Sequence, residues 1–319
     1  MDATRPGATA LSLLSVPLNV HILQALEDQD LPLADLSRAV GHPPPSTLRS
    51  YLRTLTELEV LERRREPGFP GGVSYVLGPA GSGLLSVAEV LQQWLRTDPE
   101  GPAALGSLAA KSVIKALVEG WCARIVRALA ARPLTLTDLD RVIPQISYPT
   151  LERRLTAMRR VGQVTAEPGG GARGTPYGAT QSLRLAVTPL SAAIAWERRY
   201  LPEQTPPIGR LDVEAAFLLA LPLIDLPEDV TGVCCLAVEM RNGHETAYAG
   251  AMAAVKEGRL ISCVTRLGGE ADARLIGRPA DWISWAKGNE DSLEVGGDNT
   301  MARILGEGLR GVLLSGDRV

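Results

Sequence analysis

Between residues 134 and 164 the apolar positions fall into two short runs of helical period. Leu136, Leu139, Val142 and Ile143 make one apolar stripe, with Asp138 in the first turn, where an acidic side chain favours the positive end of a helix. Pro144-Gln145-Ile146-Ser147 interrupts the period. A second run, from about residue 149 to residue 161, sets Leu151, Leu155 and Met158 on one side and leaves Thr150, Arg153, Arg154 and Arg160 facing outward. The pattern predicts two helices joined by a tight turn, the second studded with arginine: a helix-turn-helix. Residues 164–166 read as a strand, the glycine-rich stretch 169–174 with Arg173 as a flexible tip, and residues 183–187 as a returning strand. Together they predict a wing.

The first third of the chain repeats this pattern at an offset of 103 residues. Ile22 aligns with Ile125, Ala25-Leu26 with Ala128-Leu129, Asp35-Leu36 with Asp138-Leu139, Arg38 with Arg141, and Thr47-Leu48 with Thr150-Leu151, without a gap. Leucines alone could coincide, but Asp-Leu, Arg and Thr-Leu positions together indicate an internal duplication. The first copy has its own wing: residues 62–66, which include Arg64 and Arg65, a Pro/Gly tip at 67–72 and a return strand at 73–77. Pro43-Pro44-Pro45 stiffens the entry to its second helix, whose outward positions are Thr47, Arg49, Ser50, Arg53 and Thr54. A helix with Leu84, Val87, Leu91 and Trp94 follows. Another, at 101–119 with Leu105, Leu108, Ile114 and Leu117, would pack either as ordinary core or between the two copies.

Beyond the proline-rich segment 202–207 the period changes. An apolar helix is expected at 213–224, and then strands at 233–240, 246–255, 260–266 and 271–276, linked by Arg241-Asn242-Gly243-His244 and Lys256-Glu257-Gly258-Arg259, which have hairpin chemistry. A helix at 280–287, a strand at 292–295 and a helix at 299–313 complete the pattern.

Two family resemblances rest on these residues. The second copy resembles a winged helix of the HxlR type, a branch of the MarR-like bacterial regulators, through Ile125-Val126-Arg127-Ala128-Leu129 with Trp121 before it, Ile146-Ser147, Thr150-Leu151, Arg154-Leu155, Val161-Gly162-Gln163-Val164 and Ala186-Val187-Thr188-Pro189. The first copy shares its closing strand and turn, Ser74 to Gly81. Residues 271–277, Asp281-Trp282 and residues 293–298 resemble a sterol-carrier-protein-like domain. These resemblances imply an α+β chain: a winged helix-turn-helix at 1–104, another at 105–206, paired within the chain as a pseudo-dimer, and an α/β sterol-carrier-like ligand-binding domain at 207–319. They imply contact with double-stranded DNA through Thr47, Arg49, Ser50, Arg53, Arg64, Arg65, Thr150, Arg153, Arg154, Arg160 and Arg173. They also imply an apolar small-molecule effector lined by Trp282, Trp285, Met301 and Leu305, while for any one of these four taken singly plain core is the favoured reading. A further homodimer is compatible with the pattern.

Charge sharpens the picture. The 319 residues carry a net charge of −3, but residues 101–206 hold 14 Lys/Arg against 7 Asp/Glu, whereas residues 1–100 hold 8 against 12 and residues 207–319 hold 11 against 17. Only the middle third is suited to an anionic partner. The cysteines Cys122, Cys234, Cys235 and Cys263 have no C-x-x-C spacing, and the three histidines are scattered, so neither a metal nor a cofactor is expected. There is no phosphate-loop, dinucleotide-fold, zincin or nucleophile-elbow motif, which lowers the case for an enzyme. No apolar run is long enough to span a membrane and no signal peptide is evident, so a cytoplasmic protein is expected. The reading is a transcriptional regulator with an effector domain. The alternatives are a small-molecule sequestering protein that uses winged helices as scaffold, or an enzyme acting on an apolar metabolite.

Overall fold

Proline at the first helical positions opens many of the helices, where its missing N–H costs nothing and its fixed φ favours the turn. The computed structural model describes residues 5–65, 72–97, 101–120, 123–167, 174–242 and 245–314. Two units emerge: Met1–Val118 with Ala192–Pro206, and Glu119–Ser191 with Pro207–Val319. Residues 119–191 and 207–319 therefore share one unit.

In the first unit the order is α1 (Ala8–Leu14), α2 (Pro17–Ala25), β1 (Leu31–Pro32), α3 (Leu33–Ala39), α4 (Pro45–Glu57), β2 (Leu61–Arg65), β3 (Val73–Leu77), α5 (Pro79–Arg96) and α6 (Leu108–Gly120). The strands form an antiparallel sheet of order β1-β3-β2, with Leu31 opposite Tyr75 and Leu61 opposite Leu77. Leu36 from α3, Leu48, Leu52 and Leu55 from α4, and Leu84, Val87, Leu91 and Trp94 from α5 are buried together with Ile22 and Leu23. The start of α5 lies so close to the chain entering β2 that a Cβ on Gly81 would sit 2.2 Å from the Val60 carbonyl oxygen. Ile114 and Leu117 of α6 are buried, but Leu108 is 75% exposed and is no packing residue here.

Residues 192–206 complete this unit. The buried Glu197 carboxylate accepts the backbone N–H groups of Gly7 (2.6 Å), Thr9 (2.6 Å) and Ala10 (3.0 Å) at the start of α1. It thereby satisfies donors that have no partner inside the helix. Burial pushes its pKa up, and the three N–H donors oppose that rise. Trp196 Nε1–H donates to the Ala80 carbonyl at 2.8 Å.

The second unit opens with the same order of elements: α7 (Ala123–Ala131), β4 (Leu134–Thr135), α8 (Leu136–Val142), α9 (Tyr148–Arg160), β5 (Val164–Ala166) and β6 (Pro176–Ala179). Its sheet has the order β4-β6-β5, with Leu134 opposite Tyr177 and Val164 opposite Ala179. Leu139, Ile143, Leu151, Leu155 and Met158 are buried, whereas Val142 is 54% exposed and leaves the apolar stripe.

The return strand differs from its expected place at 183–187. It is β6, and residues 181–185 form α10 (Gln181–Leu185), followed by α11 (Val187–Tyr200). The Thr180 hydroxyl accepts the Leu183 N–H and caps α10, and Leu183, Ala186, Val187 and Leu190 are buried at helical spacing. From Ala192 onward α11 belongs to the first unit.

The remaining elements are α12 (Arg210–Ala220), a short 3-10 turn at Leu221–Leu223, β7 (Gly232–Asn242), β8 (Glu245–Lys256), β9 (Arg259–Val264), β10 (Ala273–Gly277), α13 (Pro279–Ala286), a second 3-10 turn at Glu290–Ser292, β11 (Glu294–Gly297) and α14 (Asn299–Leu314). The sheet order is β11-β10-β7-β8-β9, parallel only between β7 and β10. Glu257 and Gly258, both at positive φ, make the tight β8–β9 turn. Side chains alternate across a strand, so Cys234, Leu236 and Val238 share one face with their neighbours Ala273, Leu275, Ala253, Ala251 and Ala249. That face is buried, and α12, α13 and α14 pack on the sheet. On the other face Cys235 is half-buried, and Arg274 and Val264 are exposed.

Candidate nucleic-acid interface

Helices α4 and α9 each present one polar face because their leucines and Met158 are spent on the core. On α4, Arg49, Ser50 and Arg53 are exposed and Thr47 is half-buried. Arg53 lies 3.8 Å from Glu57 of the same helix, and Arg64 on β2 pairs with Asp30 at 3.1 Å, so both of these cations are partly neutralised. Arg65 is exposed. On α9, Arg153 and Arg160 are exposed, while Thr150 and Arg154 are half-buried. Among the described residues Arg49, Arg65, Arg153 and Arg160 form no ion pair. Arg173 lies outside the described residues.

The two helices differ in charge. In α9, Arg153, Arg154, Arg159 and Arg160 face a single acid, Glu152, whereas α4 balances Arg49 and Arg53 against Glu57. Neither helix has an acidic residue in its first turn, so no side-chain carboxylate there competes with an approaching phosphate. At the start of α9 the hydroxyls of Ser147 and Thr150 lie 2.9 Å apart. Three exposed groups escaped the sequence reading: Arg63 on β2, Arg159 at the end of α9 and Tyr148 at its start, 45% exposed. Arg63 and Arg159 adjoin arginines already assigned, so a rule counting every exposed cation of the segment would have found them.

In the neighbouring helix α8 the Thr135 hydroxyl bonds to Asp138 at 2.7 Å and holds its carboxyl below the usual range, with Arg141 assisting.

The second unit also contains an ionic clamp that sequence spacing does not reveal. Glu214 on α12 is 1% exposed. Its carboxylate is paired with Arg127 of α7 and, at 2.7 Å, with Arg210 of its own helix. Arg127 also donates to Thr265 Oγ1 at 2.8 Å, just past β9. Arg184 of α10 donates to the carbonyls of Leu218 (3.1 Å) and Ala130 (3.4 Å), and burial lowers its pKa. Thr188 donates to the Val312 carbonyl at 2.6 Å. The helices flanking the β4-β6-β5 sheet are thus bonded directly to α12, to the end of β9 and to α14.

The four residues expected to line a ligand cavity are all buried: Trp282, Trp285, Met301 and Leu305. Trp282 packs edge-on against Phe217 (5.2 Å between centroids) and Trp285 (5.5 Å), and its Nε1–H donates to the Ala237 carbonyl at 3.0 Å. Arg310 lies over the Trp285 ring at 4.7 Å. Both indoles are therefore engaged within the fold. Among the described residues no group of His, Cys, Asp and Glu could hold a metal, and no single helix is long and apolar enough to cross a membrane.

Compared with known proteins, residues 16–100 match the HxlR-like helix-turn-helix family. The matched segment runs from the start of α2 through α5, and it suggests a DNA-binding transcriptional regulator. No curated protein matches the chain.

Proposed function

We propose that this protein is a transcriptional regulator that grips double-stranded DNA with two winged helices, the second formed by residues 123–200. The observation that carries the reading is the recurrence, in the second unit, of the order strand, helix, helix, hairpin and helix seen in the matched segment. The same strand pairings recur as well, with Leu31 opposite Tyr75 in one and Leu134 opposite Tyr177 in the other. In each copy the helix after the turn exposes arginines beside a wing strand, the arrangement that lets a helix enter the major groove while the wing contacts the backbone.

The two copies act as an internal pseudo-dimer. Support comes from the ungapped 103-residue offset that relates the two copies in sequence. Because α9 is more basic than α4, the second copy supplies more of the affinity, and the site need not be a symmetric palindrome.

Residues 207–314, which we read as sterol-carrier-like, serve as the effector module. Their support is the direct bonding of α12 to α7 through Glu214 and Arg127. A ligand can shift DNA binding only by preferring one of two states, and in this domain it would have to open the Phe217–Trp282–Trp285 cluster. The test is fluorescence anisotropy on DNA selected by the full chain from a random pool, with a salt titration. A log–log slope corresponding to several released counterions and enrichment of a defined sequence support the reading. Absence of both refutes it.

A further inference from the structure

In the first unit a groove of about 330 Å³ opens between α2 and the second half of α5, with Leu14 of α1 and Leu105 at its end. That volume lies at the lower end of the range ligand pockets occupy, roughly 300–1,000 Å³. Its floor is apolar: Leu14, Val20, Leu23 and Ala88 are buried, and Leu85 and Leu105 half-buried. The end is built, because the Gln92 amide donates to the Ala103 carbonyl at 3.1 Å and accepts the Leu105 N–H at 2.7 Å.

The rim is charged. Glu27, just past the end of α2, and Glu89, on α5, both border the groove and are exposed. Among the described residues neither carboxylate has an ion-pair or hydrogen-bond partner. Among the described residues the one cation on the lining, Arg96, stands seven residues beyond Glu89, about 10 Å along the helix axis and roughly a Debye length at ordinary salt. The rim therefore carries two carboxylates against one guanidinium, above an apolar floor.

We propose that this groove binds a lipophilic organic cation, its apolar body on the Leu23–Ala88 floor and its positive centre held by the rim carboxylates Glu27 and Glu89. A neutral apolar molecule would leave both carboxylates without a partner while removing water from them, and an anion would be repelled. The positive centre instead gains attraction, because a charge pair near a protein surface interacts several-fold more strongly than in bulk water.

Two probes of the same shape and opposite charge test this on the full chain: tetraphenylphosphonium and tetraphenylborate, by isothermal titration. One saturable site per chain is expected for the cation, with the borate at least about tenfold weaker, equivalent to ~1.4 kcal/mol. Glu27→Gln with Glu89→Gln should weaken the phosphonium by about tenfold or more, and Glu27→Lys with Glu89→Lys should reverse the preference. All four are exposed substitutions, and an unchanged thermal unfolding curve will show that the fold survives. Leu85→Trp should fill the groove and remove binding of either probe. The proposal is overturned if the borate binds as tightly as the phosphonium, if no saturable phosphonium site is found, or if the charge variants bind the phosphonium as the parent chain does.

Discussion

Replacing Arg127 by Met tests how firmly α7 is held to α12. Glu214 is 1% exposed, the Arg127 side chain 38% and the Arg210 side chain 67%. Removing one member of a fully buried ion pair costs about 3–5 kcal/mol, because the other charge is left without compensation. Here Arg210 remains, and Arg127 is partly hydrated, so the expected cost falls to about 2–3 kcal/mol. Arg210→Met removes only the better-solvated partner, and about 0.5–1 kcal/mol is expected. Arg127→Met combined with Glu214→Leu removes both charges. It should cost less than the sum of the two single changes, by roughly 1–2 kcal/mol of coupling. A chain of two units need not unfold in one transition, so the assay is amide hydrogen exchange resolved by segment. Arg127→Met should speed exchange in α7 and α12 by about 30- to 150-fold, with α2 and α5 unaffected. If Arg127→Met and Arg210→Met alter α7 protection equally, the clamp does not hold the helix as argued.

Glu197 gives a pH signature. Its folded pKa is raised above the ordinary value of 4.5, mainly by burial. A carboxyl shifted in this sense contributes stability that is complete below the unfolded value and is lost as pH rises through the raised one. Chemical denaturation followed at the first unit should show this decline as pH rises above 4.5, and Glu197→Gln should flatten it. That variant also leaves at least one of the three α1 amide donors without an acceptor and should cost about 1–3 kcal/mol near neutrality. Burial pushes the Cys234 thiol to about 12 and that of Cys263 to about 11. Neither should therefore react with a disulfide reagent at pH 8 until the chain is unfolded, as peptide mapping will show. On DNA, Arg153→Ala with Arg160→Ala should weaken binding more than Arg49→Ala with Arg53→Ala. About 1–3 kcal/mol is expected for each arginine that reads a base, and the salt slope should fall by about one for each arginine that neutralises a phosphate.

Periodicity made the helices and most of the strands readable because burial imposes a period of 3.6 on one and 2 on the other. The strands β7, β8 and β3, and helix α14, fall within a few residues of where alternation and spacing place them. Strand β6 did not. Pro176-Tyr177-Gly178-Ala179 has no strand-like alternation and becomes a strand through its partners, Tyr177 lying opposite both Leu134 and Ala166. Residues 183–187, apolar enough for a strand, fold as helix once Thr180 caps them. The exposed arginines of α4 and α9 were legible because an arginine on a helix face opposite leucine points toward solvent. The clamp was not, since Arg127 and Glu214 are 87 residues apart and nothing local announces their meeting. The aromatic residues Trp282 and Trp285 were visible as a pair. Their edge-on packing and the hydrogen bond to Ala237 are tertiary facts that no spacing encodes.

The central claim is that the arginine face of α9 holds DNA. The most direct measurement is the affinity of the full chain, with and without Arg153→Ala and Arg160→Ala, for a sequence that the parent chain selects from a random pool. The two changes together should weaken binding by at least about tenfold, ~1.4 kcal/mol, while the unfolding profile stays the same. Undiminished affinity in the double variant, or failure of the parent chain to retain any DNA at low salt, would contradict the account.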